Sequence, residues 1–181
     1  MNVCVFCSAN NNIAPEYFEL TRQLGRWCAD NGHHVIFGGT NQGLMECLAE
    51  EAFRAGGHVV GVIPQIVERG GRTSPHVHTH ILTNDLNDRK AIMIERADAI
   101  VALPGGVGTL DEVFTVLSAA SIGYHHKRVI LYNMDGFWNK LIELMDDLQQ
   151  RGMIRGQWTE QLLVADSLEE VTNLITLMSN A

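Results

Sequence analysis

Positive charge is scarce in this chain. Thirteen lysines and arginines face twenty-one aspartates and glutamates, a formal net charge of −8. A general binder of nucleic acid needs a basic face for the phosphate backbone, so the charge argues against that class. A small phosphorylated ligand needs only a local positive spot and stays open. Long apolar runs are also missing. Nothing approaches the ~20 residues that cross a bilayer, so the chain reads as soluble, with no membrane partner. Cysteine is limited to Cys4, Cys7, Cys28 and Cys47. Met1–Phe6 runs straight into a strand-like stretch with no secretory leader, which predicts reduced thiols and a cytoplasmic location. Two nucleotide fingerprints are absent as well. Without G-x-x-x-x-G-K-[ST] a nucleoside triphosphatase is disfavoured, and without G-x-G-x-x-G after the first strand so is a dinucleotide oxidoreductase.

What is present is alternation. Apolar, β-rich runs trade places with helix-period stretches from end to end. Strands are predicted at 3–6, 34–37, 58–63, 77–82, 99–103, 129–132 and 162–165. Helices are predicted at 15–31, 43–55, 86–96, 109–121, 138–150 and 168–178. The polar, glycine-rich stretch Glu68–Pro75 reads as a long loop. Such alternation predicts an α/β fold, a doubly wound parallel sheet with helices on both faces. No repeat or linker divides the 181 residues, so residues 1–181 are expected to form one domain. In these folds ligands sit beyond the carboxyl ends of the strands.

Two strand-to-helix loops at that edge are rich in glycine, FGGTNQGLM (Phe37–Met45) and LPGGVGT (Leu103–Thr109). Glycine lets the backbone approach a ligand closely. The helix that follows offers unpaired N–H groups and the positive end of its dipole. Each loop is therefore either an anion site, for which phosphate is the usual ligand, or a set of tight turns, and two such loops on one sheet edge favour the anion site.

Thr109-Leu110-Asp111-Glu112 has the T-x-x-E spacing of a capping box, which would make Glu112 a structural cap. The other reading is a catalytic carboxylate. Asp111 lies about 100° away around the helix, so the two are not a paired acid/base dyad. Upstream, Arg89 and Lys90 place two cations near the second loop. They are either a solvated helix end or an anion-binding pair, with Arg89 able to fork onto phosphate or carboxylate.

Together these motifs resemble those of the LOG ("Lonely Guy") family of cytokinin riboside 5'-monophosphate phosphoribohydrolases, long labelled lysine decarboxylases. PGGVGTLDE (Pro104–Glu112) resembles the P-G-G-x-G-T-x-x-E signature, and Arg89-Lys90 stands at the family's distance before it. GGTNQGLM, VFCSAN and GVIP resemble three further family stretches. The resemblance implies a Rossmann-like fold, a homodimer, no metal or organic cofactor, and hydrolysis of a nucleoside monophosphate such as AMP or an N6-substituted relative. It implies Arg89 and Glu112 as the catalytic pair. It implies substrate contacts from Lys90, Gly105, Gly106, Val107, Gly108, Thr109, Ser118, Gly39 and Ser8. Thr40, Glu46, the run Ser8-Ala9-Asn10 and Gly71 depart from the family pattern around the base end of the site. A non-catalytic nucleotide sensor on the same fold is the alternative. A pyridoxal-dependent decarboxylase is disfavoured, because none of Lys90, Lys127 and Lys140 sits in a cofactor motif.

Other groupings read as structure. His76, His78 and His80 would share one face of a strand, which could suit a metal, but no cysteine or carboxylate cluster accompanies them and an exposed or subunit-facing strand is the expected role. Cys4 and Cys7 would point to opposite faces of theirs, as buried thiols. Tyr124–Lys127 reads as surface.

Overall fold

The computed structural model describes residues 1–179. Seven strands form one parallel sheet: β1 (Asn2–Phe6), β2 (His34–Phe37), β3 (Val59–Pro64), β4 (Thr79–Thr83), β5 (Ala99–Ala102), β6 (Val129–Tyr132) and β7 (Leu162–Ala165). Their order is β4-β3-β2-β1-β5-β6-β7. The chain winds outward from β1 to β4, then returns to the other side of β1 with β5. That reversal opens a crevice between the carboxyl ends of β1 and β5, where such sheets bind ligands.

Alternation along each strand builds two cores. Val3 and Val5 point to the face covered by α1 (Pro15–Asp30), α2 (Gly43–Arg54) and α7 (Leu168–Ser179), through Leu24, Leu48 and Val171. Cys4 and Phe6 point to the face covered by α4 (Leu86–Arg96), α5 (Val107–Ser121) and α6 (Asn139–Gln150), through Met93, Val113 and Leu141. Both faces of the central strands are buried, so those strands read as continuous apolar runs. Cys4 and Cys7 do fall on opposite faces, and all four cysteines are buried and free.

Three stretches differ from the sequence reading. The loop after β3 begins with a short helix, α3 (Gln65–Arg69), too brief to show a periodic pattern. β4 starts at Thr79, so His76 and His78 precede it. The His76 ring sits 2.7 Å from Glu46, and His78 stacks on Phe53 and His58. The three histidines thus share no common strand face. Lys127 is not a free surface cation, because its ammonium donates to the carbonyls of Glu95 and Ala97 at the end of α4. A cation is favoured at a helix carboxyl end.

Candidate active site

α5 begins two residues before the expected start. Gly106 is its N-cap and no side chain caps it. Thr109 is therefore inside the first turn, and the capping box does not form. Its Oγ1 would lie 2.0 Å from a Cβ at position 105, so glycine is required there for the loop to pack onto the helix. Thr109 is buried, whereas Gly106, Val107 and Gly108 face solvent. Among the described residues, none accepts a hydrogen bond from the N–H groups of Gly105, Gly106, Val107, Gly108 or Thr109. They are the donors a helix start leaves over, in the loop that follows β5.

The first glycine loop is built differently. The N–H of Gly43 donates to Asn11 Oδ1 at 2.8 Å, that of Leu44 to the Ser8 carbonyl and that of Asn41 to the Arg72 carbonyl. The first amides of α2 are thus taken up by the chain itself, at Gly43 and Leu44. Gly39, at φ +77°, gives its carbonyl to Ser74, and a Cβ on it would lie 2.1 Å from Ile63 Cγ1. Ser8 bridges the two loops, donating to Pro104 and accepting from Leu44 through its backbone. The structure places Gly39 and Ser8 in packing and loop bridging.

Glu112 lies in the second turn of α5 and is 1 % exposed. Its carboxylate accepts from Nη2 of Arg89 on α4. Helical side chains lean toward the amino terminus, so the carboxyl tilts toward the unspent donors of the loop. α4 is set by Asp85, whose side chain accepts from the N–H groups of Asn87 and Asp88. That cap fixes the helix register and so the direction of Arg89. Nη1 of Arg89 borders Gly38, where a Cβ would lie 3.0 Å away. Its Nε is buried with no partner among the described residues, a donor to spare. Arg89 and Lys90 are mostly buried, not a solvated helix end.

Burial pushes the Glu112 carboxyl up to about 7, against the pull of Arg89; Asp111 raises it further and Lys90 opposes. A carboxyl in that range exchanges a proton near neutral pH, as a general acid or base must. Burial, then the Glu112 charge, keeps the Cys4 and Cys7 thiols well above their ordinary range, so neither is an activated nucleophile.

Lys90 and Ser118 lie apart from this centre. The Lys90 ammonium is taken up by both oxygens of Asp111, each at 2.8 Å. Ser118 shares the outer face of α5 with Asp111, one heptad away, and donates to the Thr115 carbonyl. Both line an apolar cavity of about 650 Å³ against α6, with Phe114, Met145 and Trp158, and Glu112 takes no part in it. Sequence reasoning missed Gly38 beside Arg89, the Asn11 plug and the Lys90–Asp111 pair, all made between segments distant in the chain.

A family model described as "Possible lysine decarboxylase" matches residues 45–175. The chain is 34% identical over 169 residues to the cytokinin riboside 5'-monophosphate phosphoribohydrolase LOG7 of Arabidopsis thaliana, covering 93% of this chain and 78% of that one. It is also 34% identical over 169 residues to the cytokinin riboside 5'-monophosphate phosphoribohydrolase of Rhodococcoides fascians, covering 93% and 85%. The chain belongs to the LOG family. LOG-type architecture recurs in the solved structure of TM1055, with a TM-score of 0.75 and 28% identity over 97% of this chain and 98% of that one. The molybdenum cofactor carrier protein of Chlamydomonas reinhardtii has the same fold, with a TM-score of 0.78 over 99% of this chain and 98% of that one, at 22% identity.

Proposed function

We propose that this LOG-family protein is a nucleoside 5'-monophosphate phosphoribohydrolase, acting on AMP or an N6-substituted AMP. One observation carries the reading: a buried Glu112–Arg89 pair stands directly behind a helix start whose amide donors are unspent. The phosphate binds the N–H groups of Gly105–Thr109, where the dipole of α5 favours an anion. Glu112 is five residues into the helix, roughly 7 Å along its axis, about the reach from a 5'-phosphate to the far side of its ribose.

Water attacks the anomeric carbon and the C–N bond breaks. The base leaves with the bonding pair and takes up a proton, giving free base and ribose 5-phosphate. Positive charge builds on the ribose in the transition state, as in other glycoside cleavage. The Glu112 carboxylate faces that charge and stabilises it from a buried position. Arg89 orients the carboxylate. The bound phosphate supplies remote binding energy that holds the sugar in place.

A homodimer is part of this reading. Leu86 on α4 and Ile122 at the end of α5 are more than half exposed, which supports a covering partner. Light scattering should then give twice the 20.1 kDa chain mass. Four buried free thiols support a cytoplasmic location. Among the described residues no helix is long and apolar enough to cross a membrane.

The test is incubation with AMP. Adenine and ribose 5-phosphate should appear with the native protein, and kcat should fall ~10²–10⁴-fold in Glu112→Gln and Arg89→Ala. Release untouched by either change removes the pair from catalysis. Tight binding without release makes the protein a nucleotide sensor.

A further inference from the structure

The chemistry above leaves one ion pair unused. Lys90 and Asp111 are the immediate neighbours of Arg89 and Glu112 on the same two helices. The Lys90 ammonium meets both Asp111 oxygens at 2.8 Å. Successive helical residues diverge by about 100°, so α4 and α5 are tied at two places. The inner tie is Arg89–Glu112, with side chains 12% and 2% exposed. The outer tie is Lys90–Asp111, at 11% and 51%. The lysine head is thus inside the helix interface while its partner stands at the solvent rim.

An ammonium on a flexible four-carbon stem pairs with whichever anion it can reach. Two carboxylates follow one another on α5, and only one is to do chemistry. If Lys90 reached Glu112, that carboxylate would be spent on a second cation and pinned in its charged form. Asp111 prevents this by offering a bidentate partner at the rim.

We propose that Asp111 is a positioning residue for the hydrolysis: it claims Lys90 and so leaves Glu112 to Arg89 and the substrate. This rests on the hydrolase reading. The two members of the outer pair act on the Glu112 carboxyl with opposite sign, Asp111 raising its proton affinity and Lys90 lowering it. Removing either charge shifts that titration by its field alone, so the positioning role is read from kcat, which a pair that only glued the helices together would leave unchanged when Asp111 is lost.

The experiment compares Asp111→Asn, which keeps size and a carbonyl for the ammonium, with Lys90→Met. Glu112 is titrated by 13C NMR of its side-chain carboxyl, assigned by its loss in Glu112→Gln. The acidic limb of kcat/KM for AMP is measured on the same samples. Asp111→Asn should move both midpoints to lower pH and Lys90→Met to higher pH. In Asp111→Asn, kcat should fall about 10–100-fold with KM little changed, and Asp111→Glu should recover most of the rate. Midpoints that stay at the native value or move together, or an unchanged kcat in Asp111→Asn, overturn the proposal. If the native protein releases no adenine, the hydrolase reading fails on its own. A crystal structure of Asp111→Asn then still decides the pair, a Lys90 ammonium moved onto Glu112 supporting it and an ammonium left at position 111 refuting it.

Discussion

Two glycine-rich loops leave the same edge of the same sheet, each leading into a helix; the chain itself closes the helix start of the first and leaves that of the second open. At the first, Asn11, Ser8 and Arg72 take the donors of Gly43, Leu44 and Asn41. At the second, the amides of Gly105–Thr109 have no acceptor among the described residues, and Glu112 and Arg89 stand behind them. Composition is nearly equal. What differs is whether a neighbouring segment has a side chain or carbonyl in place to occupy the helix start. A glycine loop is an anion site only when the rest of the fold leaves it unfilled.

Gly105→Ala should break the open loop. Its Cβ would fall 2.0 Å from Thr109 Oγ1 and force the loop off the helix. kcat/KM for AMP should drop at least about 100-fold, a cost typical of misplaced binding groups. A smaller drop would mean the loop is not where the phosphate is held.

The closed loop should answer differently. Asn11→Ala removes the acceptor for the Gly43 amide and should cost about 1 kcal/mol of stability in denaturant titration. KM for AMP should stay put. A raised KM with unchanged stability would make the first loop part of the ligand site.

The pH response sharpens the contrast, because the open loop has a buried carboxyl with a raised pKa behind it. With the Glu112 carboxyl at about 7, kcat/KM should fall as the pH drops through that value and the carboxylate is lost. Stability runs the other way. The folded carboxyl holds its proton to about 7, against an ordinary value of 4.5 in the unfolded chain. Its contribution is full below 4.5 and is lost as the pH rises through 7. Glu112→Gln should flatten that part of the stability–pH curve, which thermal melts across the range can check. This is the smallest of the expected effects.

The layered fold was legible because local patterns carry it. Val129–Tyr132 and Leu162–Ala165 match the expected strands, and apolar runs between helical stretches leave few other arrangements. The two catalytic candidates were legible through the signature and its distance to Arg89-Lys90. What stayed hidden depends on three-dimensional neighbours. T-x-x-E looks the same whether the helix starts at Thr109 or two residues earlier, and the loop glycines hide the start. Asn11 lies 32 residues from the amide it occupies, and Lys90 lies 21 from Asp111. Neither spacing falls within a helix or strand period, so neither contact leaves a trace in the sequence. The same holds for Ser118, which follows Glu112 closely in sequence yet faces the other side of α5.

The most direct measurement is a crystal structure of the Glu112→Gln variant soaked with AMP. The phosphate should accept hydrogen bonds from the amides of Gly105–Thr109, with the anomeric carbon beside the side chain at position 112. A phosphate seated at the Gly43 end of α2, or a ribose turned away from position 112, would contradict the assignment of the open loop as the active site.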